Sequence, residues 1–185
     1  MPAPDGASSI TMTPQKRLAT AVKTSAGWVG LARAELGLRR CTLYKSTKRG
    51  ALADLGEGWE TVAEGADPLL KKAAKLVRDH ASGKRIKADI KLDLTGIPPF
   101  TRKALEACHA IPYGETRTYG DLAAAAGSPK AARAAGQAMA NNPIPILIPC
   151  HRVVGSDGNL TGFAGGTEGL GMKKAMLAKE GTREP

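Results

Sequence analysis

Three prolines within seven residues restrict the path of the chain between residues 141 and 155, a stretch that we call the central segment. Its sequence is NNPIPILIPCHRVVG. Pro143, Pro145 and Pro149 lack an amide hydrogen and have a fixed φ, which argues against a central strand of a sheet. Aliphatic residues at positions 144, 146 and 148 alternate, which favours an extended path. We therefore predict a stiff, buried, extended segment whose end presents Cys150.

Cys150 is followed directly by His151 and Arg152. A thiolate is the reactive form of cysteine, and a neighbouring base or cation lowers the pKa of the thiol. Adjacent side chains of an extended chain point apart, however. Two interpretations therefore stand side by side: a nucleophile with its base, and a small buried cysteine beside an ordinary loop histidine.

The cysteines of the chain do not have the number or spacing that is typical of a disulfide framework. Cys41, Cys108 and Cys150 are an odd number and contain no CxxC pair. This disfavours disulfides and a cysteine-rich zinc site, and it suits the reducing cytoplasm, where we place the protein. No apolar run approaches the roughly 20 residues that span a bilayer, so we expect no membrane partner.

The net charge of +10 favours a polyanionic partner such as nucleic acid. The excess is uneven, because residues 1–97 carry 17 basic and 10 acidic side chains while residues 98–185 carry 10 and 7. Much of it therefore lies outside the part that contains the central segment, and charge alone supports nucleic-acid binding only weakly.

The first half of the chain has the pattern of a small α/β domain over residues 16–96, after a leader at 1–15 that we expect to be disordered. Strands are predicted at 27–32 and 38–44, with a short one near 59–62. Asp67 and Pro68 mark the start of a helix that ends at Ser82 and Gly83. Strict alternation of apolar and charged residues over 86–94 predicts a half-buried strand.

Glycine and two prolines at 96–99 mark a boundary, and residues 97–185 have helical patterns. A helix over 101–110 places Cys108 in the core. Thr118 caps a helix that Gly127 stops, and Ser128-Pro129 begins a second helix to Ala140, which together predict a helix-turn-helix. The second helix consists mostly of alanine, which suits either close approach to a groove or tight helix packing. A last helix, 172–180, is predicted to bury Met172, Ala175, Met176 and Leu177.

Several short motifs accompany the central segment: IPYGET, TYGDLA, SPKAARAAGQAM, GFAGG and a terminal KEG. Together they closely resemble the O6-alkylguanine-DNA alkyltransferases (methylated-DNA–protein-cysteine methyltransferases) from about Gly96 to Gly181. The resemblance implies a ribonuclease-H-like α/β N-terminal domain and a mainly α C-terminal domain with a winged-helix-like helix-turn-helix. It also implies irreversible, stoichiometric transfer of an alkyl group from DNA to Cys150, with no cofactor and no metal.

The resemblance assigns roles to individual residues. Cys150 would accept the alkyl group, His151 would activate it through a water, and Glu180 would orient the histidine. Asn142 would act as a hinge, and Tyr119 would help to rotate the nucleotide out of the helix and protonate the leaving guanine. Arg133 would fill the gap in the base stack, beside Tyr119, Ala132, Ala134 and Gly136 at the DNA. The guanine pocket would be lined by Met139, Pro145, Val153, Phe163 and Ala164, with Phe163 where the family commonly has tyrosine.

The implied partner is double-stranded DNA containing O6-alkylguanine, bound from the minor groove with low sequence specificity by a protein that is a monomer in solution. Two other classes of function stay open. A Cys-His hydrolase or acyltransferase would need an oxyanion hole, for which the sequence offers nothing beyond Cys150 and His151. A lesion sensor or helix-turn-helix regulator without chemistry is disfavoured by Cys150, which the sensor relatives lack.

Overall fold

The computed structural model describes residues 16–164, 166 and 169–182. The leader predicted to be disordered, 1–15, lies outside the described residues, as do Gly165, Thr167 and Glu168 of the glycine-rich loop.

A four-stranded sheet forms the first half, with strand order β3-β2-β1-β4. The strands are β1 (Leu18–Thr24), β2 (Gly27–Ala34), β3 (Gly37–Cys41) and β4 (Glu60–Thr61). β2 lies between β1 and β3 and is antiparallel to both, and β4 runs parallel to β1. The strands expected near 27–32, 38–44 and 59–62 are confirmed. β1 was not predicted, because six of its seven residues are buried and it therefore has no alternating pattern.

Two helices, α1 (Lys48–Ala53) and α2 (Pro68–Ala81), pack on the sheet. α2 begins as predicted, since the Asp67 side chain accepts the amide hydrogens of Leu69 and Leu70. α1 was not predicted. It lies directly on β2: a Cβ at Gly30 would be 2.3 Å from the carbonyl oxygen of Ala51, so only glycine fits there.

The strand predicted over 86–94 is wrong. Its residues alternate in burial up to Ile90, but only one bridge, Leu38 to Leu92, joins the segment to β3. The amides of Asp89 and Ile90 instead donate to carbonyls two residues earlier, those of Lys87 and Ala88. Alternation thus identified a half-buried extended stretch, whereas a strand also needs a neighbour for its backbone groups.

The second half is mainly helical. Its elements are α3 (Pro99–His109), β5 (Arg117–Thr118), α4 (Tyr119–Ala125), α5 (Ala132–Ala140), β6 (Val153–Val154) and α6 (Leu170–Lys179), with β5 and β6 paired in parallel. Thr118 and Asp121 form a capping box at the start of α4. α5 begins at Ala132 rather than Pro129, because Ser128 to Ala131 close a turn first.

α6 agrees with the predicted helix in its extent but only partly in the face that it buries. Met176 and Leu177 are buried, but Ala175 is exposed and Lys173 is buried in its place. The prediction for Ala175 was wrong because the helix is only weakly amphipathic, so hydrophobicity alone does not identify its inner face.

The central segment is buried as predicted, but it is not extended. Ile148 donates its amide hydrogen to Ile144 at 2.9 Å, and Ile146 has a φ of 74°. A 3₁₀ turn, Cys150–Arg152, follows. The segment therefore coils into a compact loop, and the positive φ of a β-branched residue is backbone strain that the surrounding core must offset.

One apolar cluster includes residues from both halves, among them Leu31 and Val77 from the first and Leu105 and Ile148 from the second. The α/β unit and the helical unit therefore share a core. Among the helices that the structure describes, none has the length and apolar character needed to cross a membrane.

Candidate active site

The central segment is held in its loop by Asn142. Its side-chain amide donates to the carbonyl oxygen of Ile148 at 2.9 Å, and its oxygen accepts the amide hydrogen of Ile144 at 3.0 Å. The loop is also attached to the sheet, because the amide of Cys41 donates to the carbonyl of Pro143 at 2.9 Å. Asn142 and β3 together fix the position of Cys150.

Cys150 lies at the first position of the 3₁₀ turn with 6% of its surface exposed. Burial raises the pKa of its thiol above the ordinary value. A hydrogen bond from Asn142, the positive charge of Lys173, and the backbone amides of Cys150 and His151 act in the opposite direction on this pKa. The thiol therefore depends on its surroundings to become a thiolate at neutral pH.

Glu180, directly after α6, is the centre of a buried polar cluster. Its Oε1 lies 2.9 Å from His151 Nε2, and Arg152 donates to both carboxylate oxygens, at 2.8 and 2.9 Å. Burial alone would raise the pKa of Glu180, but hydrogen bonds from His151 and Arg152 and the close contact with His80 hold the pKa well below its usual range. The carboxylate is therefore ionised, and it orients the imidazole of His151.

The hydrogen bonds of Arg152 go to groups other than the thiol. Its guanidinium bonds to Glu180 and, through Nη1, to the carbonyl oxygen of Ile111 at 2.7 Å. It anchors the carboxylate.

His151 is completely buried, and its Nδ1 has no hydrogen-bond partner among the described residues. Because Glu180 is ionised, Nε2 carries the hydrogen and Nδ1 has a free lone pair. Burial lowers the pKa of His151 to about 4, against the opposing effect of Glu180. The imidazole is therefore neutral at neutral pH and able to accept a proton.

Lys173 of α6 is a site residue that the sequence did not reveal. Its side chain is fully buried, and Nζ donates to the carbonyl oxygens of Val153 at 2.6 Å and Thr161 at 3.1 Å. Nζ also lies 5.9 Å from the centre of the Tyr119 ring. Burial lowers the pKa of Lys173 to about 8, while Cys150 and Cys108 act to raise it.

A cavity of about 750 Å³ opens above Cys150. The predicted site residues that line it are Tyr119, Ala132, Arg133, Gly136, Met139, Asn142, Pro145, Cys150, Phe163 and Ala164. Leu43, Gln137, Ser156 and Thr161 also line it and were not predicted. A volume of this size is ordinary for a small-molecule site and is sufficient for a purine base.

Two predicted residues lie elsewhere. Val153 is completely buried in β6 and is not among the described residues that line the cavity. Its pairing with Arg117 places it in the small sheet, and its carbonyl oxygen holds Lys173. Ala134 is exposed on α5 and lines a separate cavity.

α5 has one buried and one exposed side. Ala135, Ala138 and Met139 are buried, whereas Arg133 and Gln137 are exposed at the cavity. A Cβ at Gly136 would lie 3.8 Å from the Tyr119 ring, so the small residues of α5 let the tyrosine pack close to the helix. The exposed side of α5 is therefore a slender surface with one long cation at the mouth of the cavity.

His80, His151 and Glu180 bring one potential ligand atom each within 4.8 Å of one another. Both oxygens of Glu180 already accept hydrogen bonds from Arg152, whose positive charge opposes a second cation. These residues fit an ionic hydrogen-bond cluster better than a metal site.

Comparison with known proteins gives one consistent result. Residues 99–182 match the family model of the 6-O-methylguanine DNA methyltransferase DNA binding domain. The methylated-DNA–protein-cysteine methyltransferase of Mycolicibacterium paratuberculosis is 48% identical over 106 residues, which are 57% of this chain and only 62% of that protein. The Methanosarcina barkeri protein of the same name is 38% identical over 159 residues, which cover 86% of this chain and 94% of the relative.

Solved structures agree with these matches. The crystal structure of Mycobacterium tuberculosis OGT in complex with DNA has a TM-score of 0.71 and 34% identity, covering 90% of this chain and 94% of that chain. The O6-methylguanine-DNA methyltransferase from Pyrococcus kodakaraensis has a TM-score of 0.57 and 28% identity, covering 90% and 99%.

Proposed function

Since the chain belongs to the methylated-DNA–protein-cysteine methyltransferase family, we propose that it repairs O6-alkylguanine in DNA by moving the alkyl group to its own Cys150. One observation carries the proposal: a buried cysteine lies at a cavity large enough for a base and directly before a histidine that an ionised glutamate orients. This is the order of nucleophile, base and orienting group that nucleophilic catalysis requires.

In the proposed reaction Cys150 loses its proton, through a water, to Nδ1 of His151. The thiolate attacks the alkyl carbon, the carbon–sulfur bond forms, and the bond from that carbon to O6 of guanine breaks. Guanine leaves with a proton donated by Tyr119, which lines the cavity. A thioether on Cys150 has no hydrolytic exit, so each protein molecule reacts once and needs no cofactor.

The target oxygen is hidden inside duplex DNA, so the nucleotide must rotate out of the stack, at a cost of a few kcal/mol. The slender exposed side of α5 supports docking in the minor groove. Arg133 is exposed at the cavity mouth and long enough to occupy the gap in the stack. Because the base is read in the pocket and the duplex through phosphate contacts, sequence specificity is low and binding weakens with salt.

Three further parts of the proposal concern the chain as a whole. The N-terminal part, to about residue 96, is ribonuclease-H-like and the remainder is winged-helix-like. The protein binds DNA, as its similarity to a neighbour crystallised in complex with DNA supports, and it does so as a monomer. Its free buried cysteines suit the cytoplasm.

The test is mass spectrometry of the protein after incubation with a duplex containing O6-methylguanine. We expect the Cys150 peptide to gain the mass of one methylene group, with at most one adduct per protein. Cys150→Ser serves as the matched control and should bind the duplex without forming an adduct. A protein that binds the duplex but leaves Cys150 unmodified would refute the proposal.

A further inference from the structure

The Glu180 carboxylate also has a neighbour from the other half of the chain. His80, in the last turn of α2, is 3% exposed, and its Nε2 lies 3.3 Å from Glu180 Oε1. Its ring meets the ring of His151 edge-on, with centroids 5.3 Å apart. The contact with Glu180 has the distance of an ion pair but not the angle of a hydrogen bond. Helix α2 thus places a second imidazole next to Oε1 of Glu180, the oxygen that also contacts His151.

The other ring nitrogen of His80, Nδ1, also has a partner. The hydroxyl of Tyr44, in the loop after β3, lies 2.8 Å from His80 Nδ1. Burial raises the pKa of Tyr44 well above its usual value, so the phenol keeps its proton. If the phenol donates to Nδ1, the hydrogen of the neutral imidazole is on Nε2, which faces the carboxylate. The order Tyr44, His80, Glu180, His151 is therefore a continuous polar chain that ends at the proposed base.

We propose that His80, oriented by Tyr44, is a positioning residue that fixes the Glu180 carboxylate and, through it, the ring of His151. The inference rests on the alkyl transfer proposed above and assigns part of its site to the N-terminal half. Arg152 holds the carboxylate on one side through both oxygens. His80 faces Oε1, the oxygen that His151 also contacts, and so limits the rotation that Arg152 alone would leave.

The charged and titratable groups around His80 come from three other parts of the chain. Tyr44 and Lys45 follow β3, His151 and Arg152 are in the 3₁₀ turn, and Lys179 and Glu180 are at the end of α6. The two lysines line, with Tyr44 and His80, a cavity of about 380 Å³. Lys45 pairs with Asp54 at 3.0 Å, and Lys179 donates to the carbonyl oxygen of Ala81 at 2.9 Å, so both ammonium groups have partners of their own.

The positions of these groups set the direction of the expected pH effect. Burial is the main reason for the low pKa of His151, and the neighbouring imidazole of His80 lowers it further. Removal of His80 reduces both effects and leaves Glu180 with one neighbour fewer. Each change raises the pKa of His151. The acidic midpoint of the profile of transfer rate against pH should therefore move to higher pH.

The experiment compares wild type, His80→Ala and Tyr44→Phe in single-turnover transfer from free O6-benzylguanine across a range of pH. We expect His80→Ala to slow transfer about tenfold, as for other outer partners of catalytic groups, and to move the acidic midpoint upward. Tyr44→Phe keeps the ring and the packing but removes the hydroxyl, and it should slow transfer by a smaller factor. Lys71→Ala, which shortens an exposed side chain on the same helix α2, is the control and should change neither quantity, and His109→Ala serves only to assign the histidine resonances.

A second measurement does not depend on alkyl transfer. The chain has three histidines, so imidazole nitrogen resonances can be assigned with these variants. We expect the His151 titration to move to higher pH in His80→Ala, and the His80 tautomer to change in Tyr44→Phe. If Tyr44→Phe matches wild type in rate and in the His80 tautomer, or His80→Ala lowers only the melting temperature, His80 is a packing residue and the inference is wrong. Absence of any Cys150 adduct in wild type would instead refute the proposed function.

Discussion

Lys173 is the largest fully buried side chain among the residues that the structure describes. A buried ammonium is costly unless its surroundings compensate for lost hydration. Two carbonyl oxygens provide part of that compensation. The low pKa of Lys173, about 8, shows that burial still dominates. The positive charge of Lys173 helps to lower the pKa of the Cys150 thiol. The buried ammonium therefore favours the thiolate form of Cys150.

Replacement of Lys173 by methionine should therefore raise the pKa of Cys150. The substitution keeps most of the volume and removes the charge, and each unit of rise in this pKa lowers the thiolate fraction at neutral pH about tenfold. The measurement is the rate of iodoacetamide alkylation of Cys150 against pH, read by mass spectrometry of its peptide. We expect the midpoint of the profile to move to higher pH.

The control for this experiment is Lys103→Met, which removes a lysine from the exposed side of α3. It should leave the alkylation profile unchanged. An unchanged profile in Lys173→Met as well would mean that the charge of Lys173 does not influence the thiol.

Residues that belong to the PCHRV and KEG motifs were predictable, and the structure brings His151 and Glu180 together within 2.9 Å. Lys173 and His80 were not. Lys173 is followed by Lys174, and nothing in the sequence tells which of the two faces inward. His80 belongs to none of the motifs, and its neighbours Tyr44, His151 and Glu180 lie between 36 and 100 residues away along the chain.

At the scale of elements, ends of helices were predicted better than pairing of strands. Asp67 and Thr118 cap their helices through contacts within three residues, which a local pattern contains. The segment 86–94 failed as a strand because pairing depends on a distant partner, and β3 offers only one bridge. The central segment failed as an extended chain for a similar reason, since Asn142 folds it into a loop.

Arg133 on α5 allows a test that distinguishes opening of the DNA base stack from the transfer of the alkyl group. Arg133→Ala leaves the Cys150 cluster intact but removes the side chain proposed to fill the base stack. We expect it to slow repair of O6-methylguanine in duplex DNA by about tenfold or more, since unstacking costs a few kcal/mol. Transfer from free O6-benzylguanine should change little, because no stack has to open.

Arg49→Ala provides the matched loss of one positive charge, on α1 and away from the cavity. We expect Arg49→Ala to change the rate of transfer from duplex DNA and from the free base equally, and only slightly. Equal losses on duplex and free base in Arg133→Ala would exclude a role in the stack and would indicate a contribution to the pocket itself.

For the whole molecule, the boundary near Gly96 was inferred from glycine and prolines, which describe the local chain and not the contacts across it. The structure has an apolar cluster that includes both halves, a backbone hydrogen bond from Cys41 to Pro143, and the contact of His80 with Glu180. Two units joined in this way should stabilise each other, so two-domain patterning need not mean independent folding.

We therefore expect the protein to unfold in one cooperative transition. Both tryptophans, Trp28 and Trp59, belong to the first half, so their fluorescence reports on the sheet. Cys108 and Cys150 are buried in the second half, so their labelling by a thiol reagent in urea, resolved by peptide mass, reports on the helices. Because the two halves share apolar contacts, the two probes should give the same midpoint. A midpoint for the thiols that is clearly separated from that of the tryptophans would mean that the shared core does not couple the halves, and the positioning of Glu180 by His80 would then lose its structural basis.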